Sequence, residues 1–286
     1  MYRSVQINDF SYTAYIADRD IQAYKEKIHK AYLEPLKAYL LDDSNEIFSA
    51  DKIQEKLFPE IKDNDVFLSH AHADEEEIIK LAIYLEKYGL NVFVDSLVWG
   101  NAHDLLRAID NEYCWQKSSK TYNYNQRNHT TANVYMILNT ALHKMIDQSE
   151  LFLFLGSETA VKVKDVVINS PNKESVRSPW IYSELMFANQ VHRREKNRIQ
   201  VAMESHTASR IDIATDGDLL KLIEFNYSKP NLDYSLSLID FKEWLEAIPC
   251  INKDILDNLQ RIRTEAILDS FYQKLIDHGI PRSYNN

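Results

Sequence analysis

Glycine is scarce, with 5 in 286 residues, and proline is limited to 7. So little turn chemistry excludes collagen-like, low-complexity and turn-dense all-β architectures. Cysteine occurs twice, as Cys114 and Cys250, far apart and without a C-x-x-C spacing. That pattern supports neither a disulfide framework nor a zinc knuckle, and it reads as two reduced thiols of a cytosolic protein. No apolar run approaches the roughly 20 residues that span a bilayer, and the start Met1-Tyr2-Arg3-Ser4-Val5-Gln6 has no apolar signal core. The expectation is a soluble, cytoplasmic protein with no membrane partner. A basic excess is also missing: 33 Lys and Arg stand against 43 Asp and Glu, a formal net charge of −10. Such a chain repels phosphate backbones, which argues against nucleic acid as a general partner.

What is present is enough apolar material for a core, 45% of residues, distributed in three regions with no internal repeat. Residues 1–62 read as a helical extension. Ile21, Tyr24, Ile28, Tyr32, Leu36, Tyr39 and Leu40 recur at helical spacing, with Pro35 interrupting them. A second short helix starts at Ser49, which can cap it, and carries Ile53, Leu57 and Phe58. The extension serves packing, or else oligomerisation or sensing.

Residues 63–248 alternate strand and helix signals. Val66-Phe67-Leu68-Ser69 is a strand, and Ile78, Leu81, Ala82 and Leu85 mark one face of a helix over 74–88 that ends at Gly89. Asn91-Val92-Phe93-Val94-Asp95 is a second strand. Residues 110–133, polar and aromatic, read as a long loop. Val134, Ile137, Leu138, Ala141, Leu142 and Met145 form the next helical stripe, before the continuous apolar run Leu151-Phe152-Leu153-Phe154-Leu155. A strand apolar on both faces is what a parallel sheet covered on each side requires. A helix over 178–195 and a strand over 199–203 continue the alternation, so the chain predicts an α/β, doubly wound parallel sheet. Ligands of such sheets bind beyond the carboxyl ends of the strands, here Ser69-His70, Asp95-Ser96 and Gly156-Ser157. Residues 249–286 read as a helical C-terminal extension, with Ile255, Leu259, Ile262, Ile267 and Leu268 among charges.

Two constellations carry candidate chemistry. His70, His72 and Asp74 form an H-x-H-x-D pattern of the kind metal-dependent hydrolases use. Against it, Glu75 replaces the histidine that would follow, and glycine-rich strand ends bearing further histidines are missing. Asp74 is also placed to cap the next helix, where Glu75, Glu76 and Glu77 suit the helix dipole. The second is Trp180-Ile181-Tyr182-Ser183-Glu184, in a helix that Ser178 caps and Pro179 opens. Trp180 and Glu184, four apart, share a helix face near the carboxyl end of the strand at 151–155.

These segments in this order resemble a bacterial TIR (Toll/interleukin-1 receptor) domain over residues 63–248. The strand Asp65 to Ser69 with His70, the strand Val92 to Asp95, the run Leu151 to Ser157, and Ser178-Pro179-Trp180 with Glu184-Leu185 carry the likeness. The resemblance implies a flavodoxin-like sheet of five parallel strands, and either a signalling adaptor or an enzyme that consumes NAD. Glu184, in a W-x-x-x-E setting, is then the catalytic residue and Trp180 a wall of the pocket. Ser69, His70 and Ala71 line the site, Asp95 and Ser157 stand at neighbouring strand ends, and Trp99 offers a second stacking surface. Residues 96–105 correspond to a flexible loop that gates the site and mediates assembly. The chain departs from compact members in the insertion at 110–133 and in reading Leu97-Val98-Trp99-Gly100-Asn101 in that loop. NAD is implied as substrate, with no metal and no other cofactor. Self-association through TIR domains, and a downstream effector or upstream sensor, are the implied partners, as in antiviral-defence proteins of the Thoeris type. The alternatives are a non-catalytic TIR interaction module and a metal-dependent hydrolase using His70, His72 and Asp74.

Overall fold

The central strand β4 reads, on its sequence, as apolar on both faces, and Leu151–Gly156 is buried at every residue. Its neighbours on both sides are parallel. One is β2 (Val66–Ser69), with Val66 opposite Leu151. The other is β1 (Arg3–Asn8), with Arg3 opposite Leu151 and Asn8 opposite Gly156. Strand β3 (Val92–Val94) pairs in parallel with β2 at one edge, and β5 (Tyr234–Leu236) pairs in parallel with β1. A short antiparallel β6 (Ile280–Pro281) closes the other edge, giving the order β6-β5-β1-β4-β2-β3. The computed structural model describes residues 1–28, 36–40, 47–58, 63–163, 174–194, 226–253 and 260–282. The architecture is thus α/β with a mostly parallel six-stranded sheet, compatible with a flavodoxin-like arrangement.

Period-2 alternation divides the strands between two cores. Val5, Ile7, Val66, Leu68, Val92, Val94, Leu151, Leu153 and Leu155 face the first. It is covered by α1 (Asp18–Ile28), α3 (Glu75–Lys87), α7 (Leu238–Lys253) and α8 (Gln260–His278), with Phe241, Trp244 and Phe271 at its centre. Phe67, Phe93, Phe152 and Phe154 face the second core, beneath α2 (Ala50–Leu57), α4 (Ser96–Ile109), α5 (Tyr124–Gln148) and α6 (Pro179–Gln190). The rings of Phe93, Phe67 and Phe152 succeed one another across it at 5.0 and 5.5 Å. Ser49 caps α2 by accepting from the Lys52 amide at 3.3 Å. After α3, Gly89 takes φ 93°, with its amide bonded to Glu86 O and that of Leu90 to Leu85 O. That paired closure needs a left-handed residue, and glycine supplies it.

The structure differs from the sequence expectations in four places. The helical reading of 1–62 holds for α1 and α2, but Arg3–Asn8 is a strand in the middle of the sheet. Its second face is polar because Ser4 and Gln6 are buried against partners rather than against oil: Arg193 Nη2 donates to Ser4 Oγ at 3.1 Å, and Arg193 also forks onto Asp233 at 2.8 Å through two nitrogens. Residues 96–105 are not a loop but lie within α4, which follows β3 at once. The stretch 110–133 is also ordered: a π-helical turn at Asp110–Cys114, a hairpin pairing Trp115–Gln116 with Thr121–Tyr122, and the start of α5. Asn123 caps α5 through the Gln126 amide at 3.0 Å, Arg127 pairs with Asp110 at 2.8 Å, and Trp115 meets Tyr122 edge-on at 5.0 Å. Fourth, Asp74 stands at the start of α3 without capping it, its carboxylate turned to Ser157 and Thr159.

The C-terminal region is helical as expected over its described part as far as His278 and then ends in β6, while the strand expected at 199–203 lies outside the described residues. Cys114 is buried and free, and the Cys250 side chain lies outside the described residues. Among the described residues no helix is long and apolar enough to cross a membrane.

If β1 is integral to the sheet, Ile7→Ala lowers stability by about 2–5 kcal/mol in urea or thermal unfolding, the range for deleting a fully buried branched side chain. A dispensable arm would tolerate the change with a loss below about 0.5 kcal/mol.

Candidate functional site

Helix α6 buries Ile181, Glu184, Leu185 and Ala188, a stripe at i, i+3, i+4 and i+7 in which one member is a glutamate. Ser178 caps the helix by accepting from the Ile181 amide at 3.3 Å, and Pro179 occupies its first turn, both as the sequence predicts. The stripe packs on the second face of the sheet. Alternation along β2 sends Ser69 to that same face, two residues beyond Phe67. The two elements therefore bring Ser69 Oγ to Glu184 Oε2, to which it donates at 2.6 Å. Glu184 is 1% exposed.

His70 and Asp95 complete the group from the ends of β2 and β3. His70 Nδ1 lies 2.9 Å from Asp95 Oδ1 and 3.4 Å from Leu68 O. The ring nitrogen is hydrogen-bonded to Leu68 O, and Asp95 Oδ1 sits beside it in ion-pair contact. Asp95 is also near enough for its negative charge to act on Glu184. Four polar atoms of this group are buried without a hydrogen-bond partner: His70 Nε2, Asp95 Oδ1, Ser96 Oγ and Glu184 Oε1. Buried polar atoms are nearly always satisfied in folded proteins, so four orphans within one cluster mark a place built for something besides stability. The cluster lies where the chain, having run from β2 outward to β3, returns to β4 on the other side of β2. Such a reversal opens a crevice at the carboxyl ends of the strands.

The electrostatics follow from burial. Removing a carboxylate from water costs several kcal/mol, so Glu184 holds its proton to well above the usual glutamate range. The negative charge of Asp95 pushes in the same direction, and the bond from Ser69 opposes it. For His70, burial alone would disfavour the imidazolium, but the charge of Asp95 beside the ring, with the hydrogen bond to Leu68 O, leaves its pKa raised.

The other expected site residues divide. Ala71 is partly buried beside the cluster, its carbonyl accepting from the Asp74 amide at 2.9 Å. Trp180 is half-buried one turn before Glu184 and meets Tyr135 of α5 edge-on at 5.2 Å. Ser157 is turned away to Asp74, with Thr159 on the same carboxylate at 2.8 Å, a latch between the end of β4 and the start of α3. The Trp99 side chain lies outside the described residues. The H-x-H-x-D pattern does not converge: His70 faces Asp95, Asp74 faces Ser157, and the His72 side chain is 89% exposed, 3.5 Å from Glu75. Among the described residues no three His, Cys, Asp or Glu side chains group as a metal would need.

Sequence reasoning passed over Ser96 as an individual residue, although Asp95-Ser96 was marked as a strand end, and it did not anticipate the His70–Asp95 contact. A glutamate inside an apolar helical stripe was the signal available for Glu184's burial. A cleft of about 240 Å³ lies elsewhere, between β1, β5 and β6, and is lined by Gln6, Asn8, Lys229 and Arg282. It is open and polar, but its groups are engaged: Lys229 pairs with Glu174 at 2.8 Å and Asn8 donates to Ser235 at 2.7 Å. Four unsatisfied buried atoms fall instead on His70, Asp95, Ser96 and Glu184, at the strand ends and on α6. A search against models of known protein families returned no match, and no curated protein or solved structure matches the chain.

The raised values of Glu184 and His70 both make stability fall as pH rises. A group whose pKa is higher in the folded state favours folding fully below its unfolded value, near 4.5 for Glu184 and 6.5 for His70, and loses that contribution as pH passes its folded value. Glu184→Gln needs no proton, and its amide can donate to Asp95. Thermal unfolding should find it more stable than wild type at about pH 8, the two converging below about pH 4. A constant deficit at every pH would show that Glu184 is ionised when folded.

Proposed function

We propose that the protein is a TIR-type enzyme that cleaves the nicotinamide–ribose bond of NAD, with Glu184 as its catalytic carboxylate. The observation that carries this reading is the burial of Glu184 in an otherwise apolar helix stripe, with Oε1 unpartnered, at the carboxyl end of a parallel sheet. A solvated glutamate on a helix surface would have no such setting. The order of the strand and helix motifs in the sequence, described above as resembling the TIR family, supplies the substrate class.

The chemistry fits a single carboxyl. Nicotinamide leaves NAD as a neutral molecule from a cationic precursor, so the leaving group needs no general acid. Positive charge accumulates instead on the ribose, and a carboxylate held against that sugar stabilises the oxocarbenium character. Low dielectric strengthens the interaction, which is why burial serves the reaction although it costs stability. Ser69, donating to Oε2, fixes the carboxyl plane and leaves Oε1 toward the sugar. Trp180, one turn earlier, provides an aromatic face for a planar base. The ribosyl cation is then captured by water, giving ADP-ribose, or by the adenine ring, giving a cyclic product. Both outcomes suit a signalling role in bacterial antiviral defence.

With Glu184 at 1% exposure, substrate reaches it only when the groups above it move. Self-association is the event we assign to that opening. The metal-dependent reading loses its basis because its three residues face three different partners.

Purified protein incubated with NAD should release nicotinamide, and Glu184→Gln should lower the rate by at least about 100-fold, the scale on which one preorganised electrostatic group acts. Specific activity should also rise with protein concentration if assembly opens the site. Release at equal rates by both proteins would dismiss Glu184 as the catalytic carboxylate. No release by concentrated protein would dismiss NAD cleavage altogether.

A further inference from the structure

We propose that the cleft between β1, β5 and β6 binds a small oxyanion, a carboxylate or phosphate carried on a compact apolar body, with the Ser235 hydroxyl as the donor that receives it. The site is separate from the Glu184 cluster and stands without the NAD reading. Strand β4 lies between β1 and β2, and the cleft shares no residue with the cluster.

Strand β1 places Gln6 and Asn8, two residues apart, on one face, and Ser235 of β5 stands opposite Gln6 in the register. These side chains form a chain of hydrogen bonds that runs in one direction. Lys229 Nζ donates to Gln6 Oε1, Gln6 Nε2 donates to Asn8 Oδ1 at 2.8 Å, and Asn8 Nδ2 donates to Ser235 Oγ at 2.7 Å. The direction is fixed at its origin, because an ammonium only donates. Gln6 must therefore turn its oxygen to Lys229 and its nitrogen to Asn8, and Asn8 offers its own nitrogen to Ser235. A hydroxyl that accepts in this way still has its single hydrogen to give. The Ser235 hydroxyl donates to no group among the described residues, and Ser235 lines the cleft. Successive bonds of one sense polarise one another, which strengthens the last donor. A chain that begins at a cation and ends on a free O–H is matched by a negatively charged acceptor.

The origin of the chain is held in place. Lys229 follows the short strand Tyr227–Ser228, its amide bonded to Glu174 O at 3.1 Å, and the Tyr227 ring stacks on Tyr182 of α6 at 4.7 Å. The Lys229 side chain is 6% exposed and meets Glu174 at 2.8 Å. Glu174 is the one acidic residue of the lining, and Lys229 already holds it, while Arg282 brings a second cation to the same cleft. Tyr234, Ile280 and Pro281 add apolar surface beside Ser235. The volume of about 240 Å³ falls below the roughly 300–1,000 Å³ of clefts that hold drug-sized ligands, so the body attached to the oxyanion is small.

The site is tested by nitrogen-edited NMR of the full-length protein, titrated with inorganic phosphate and, separately, with butyrate, against sodium chloride at matched ionic strength. The side-chain amide signals of Gln6 and Asn8 should shift and saturate with at least one of the two anions and not with chloride. Saturation by phosphate alone, by butyrate alone or by both names the oxyanion class. Ser235→Ala should weaken binding at least about tenfold, the scale of a hydrogen bond to a charged group. Asn8→Asp, read at the Gln6 amide, should abolish it, because a carboxylate at position 8 takes the Ser235 hydrogen for itself. Shifts that follow ionic strength alone, saturating shifts confined to other parts of the molecule, or undiminished affinity in either variant overturn the proposal. If Ser235→Ala does not fold, the wild-type titration and Asn8→Asp decide.

Discussion

Everything in this molecule is referred to β4, hydrogen-bonded along both edges and buried on both faces from Leu151 to Gly156. A strand with no polar side chain can be placed only between two apolar layers, and that requirement fixes where the helices go. The leucines of β4 call for α1, α3, α7 and α8, while Phe152 and Phe154 call for α2, α4, α5 and α6. Closeness to β4 also explains Gly156: a Cβ there would meet the Ile7 carbonyl at 3.1 Å, so the end of the strand stays small where β1 passes. The site inherits its position from this frame. Ser69 lies on the second face because Phe67 does, and α6 presents Glu184 to it because Ile181, Leu185 and Ala188 must be buried there.

Against that apolar constraint the polar groups at the strand ends are an expense the fold does not require. An apolar residue at 184 would complete the α6 stripe. The cluster instead carries two carboxyls, an imidazole and two hydroxyls, with four atoms unsatisfied. Elsewhere the protein shows that it can satisfy buried polarity: Ser4, Arg193 and Asp233 form a closed set, and Asp74 receives both Ser157 and Thr159. Closed polar sets beside β1 thus contrast with an open one at Glu184 in the same chain.

Much of this was legible from residue order. The strands β2, β3 and β4, the caps at Ser49 and Ser178, the Gly89 closure and the gathering of Ser69, His70, Asp95 and Glu184 all follow from local pattern and strand polarity. Two of the misses, β1 and the expected cap at Asp74, share a cause, which is polar residues satisfied by partners far off in the chain. Strand β1 offers only Val5 and Ile7 to an apolar count, because Ser4 and Gln6 depend on Arg193 and Lys229, far off in the chain. The stretch 110–133 looked like a loop because its order comes from Arg127 with Asp110 and Trp115 with Tyr122 rather than from an apolar stripe. Asp74 had the right position for a cap, and a serine and a threonine beyond β4 drew it elsewhere. No local window contains such information.

We propose Glu184 as a buried acid awaiting a cationic sugar–base ligand. The most direct measurement is calorimetry of the wild-type protein with an NAD analogue whose nicotinamide-bearing ribose has its ring oxygen replaced by carbon, which binds without cleavage, carried out in buffers of different ionisation heat. Binding should release a proton in wild type and none in Glu184→Gln. Binding with no proton release, or equal release by both proteins, would contradict it.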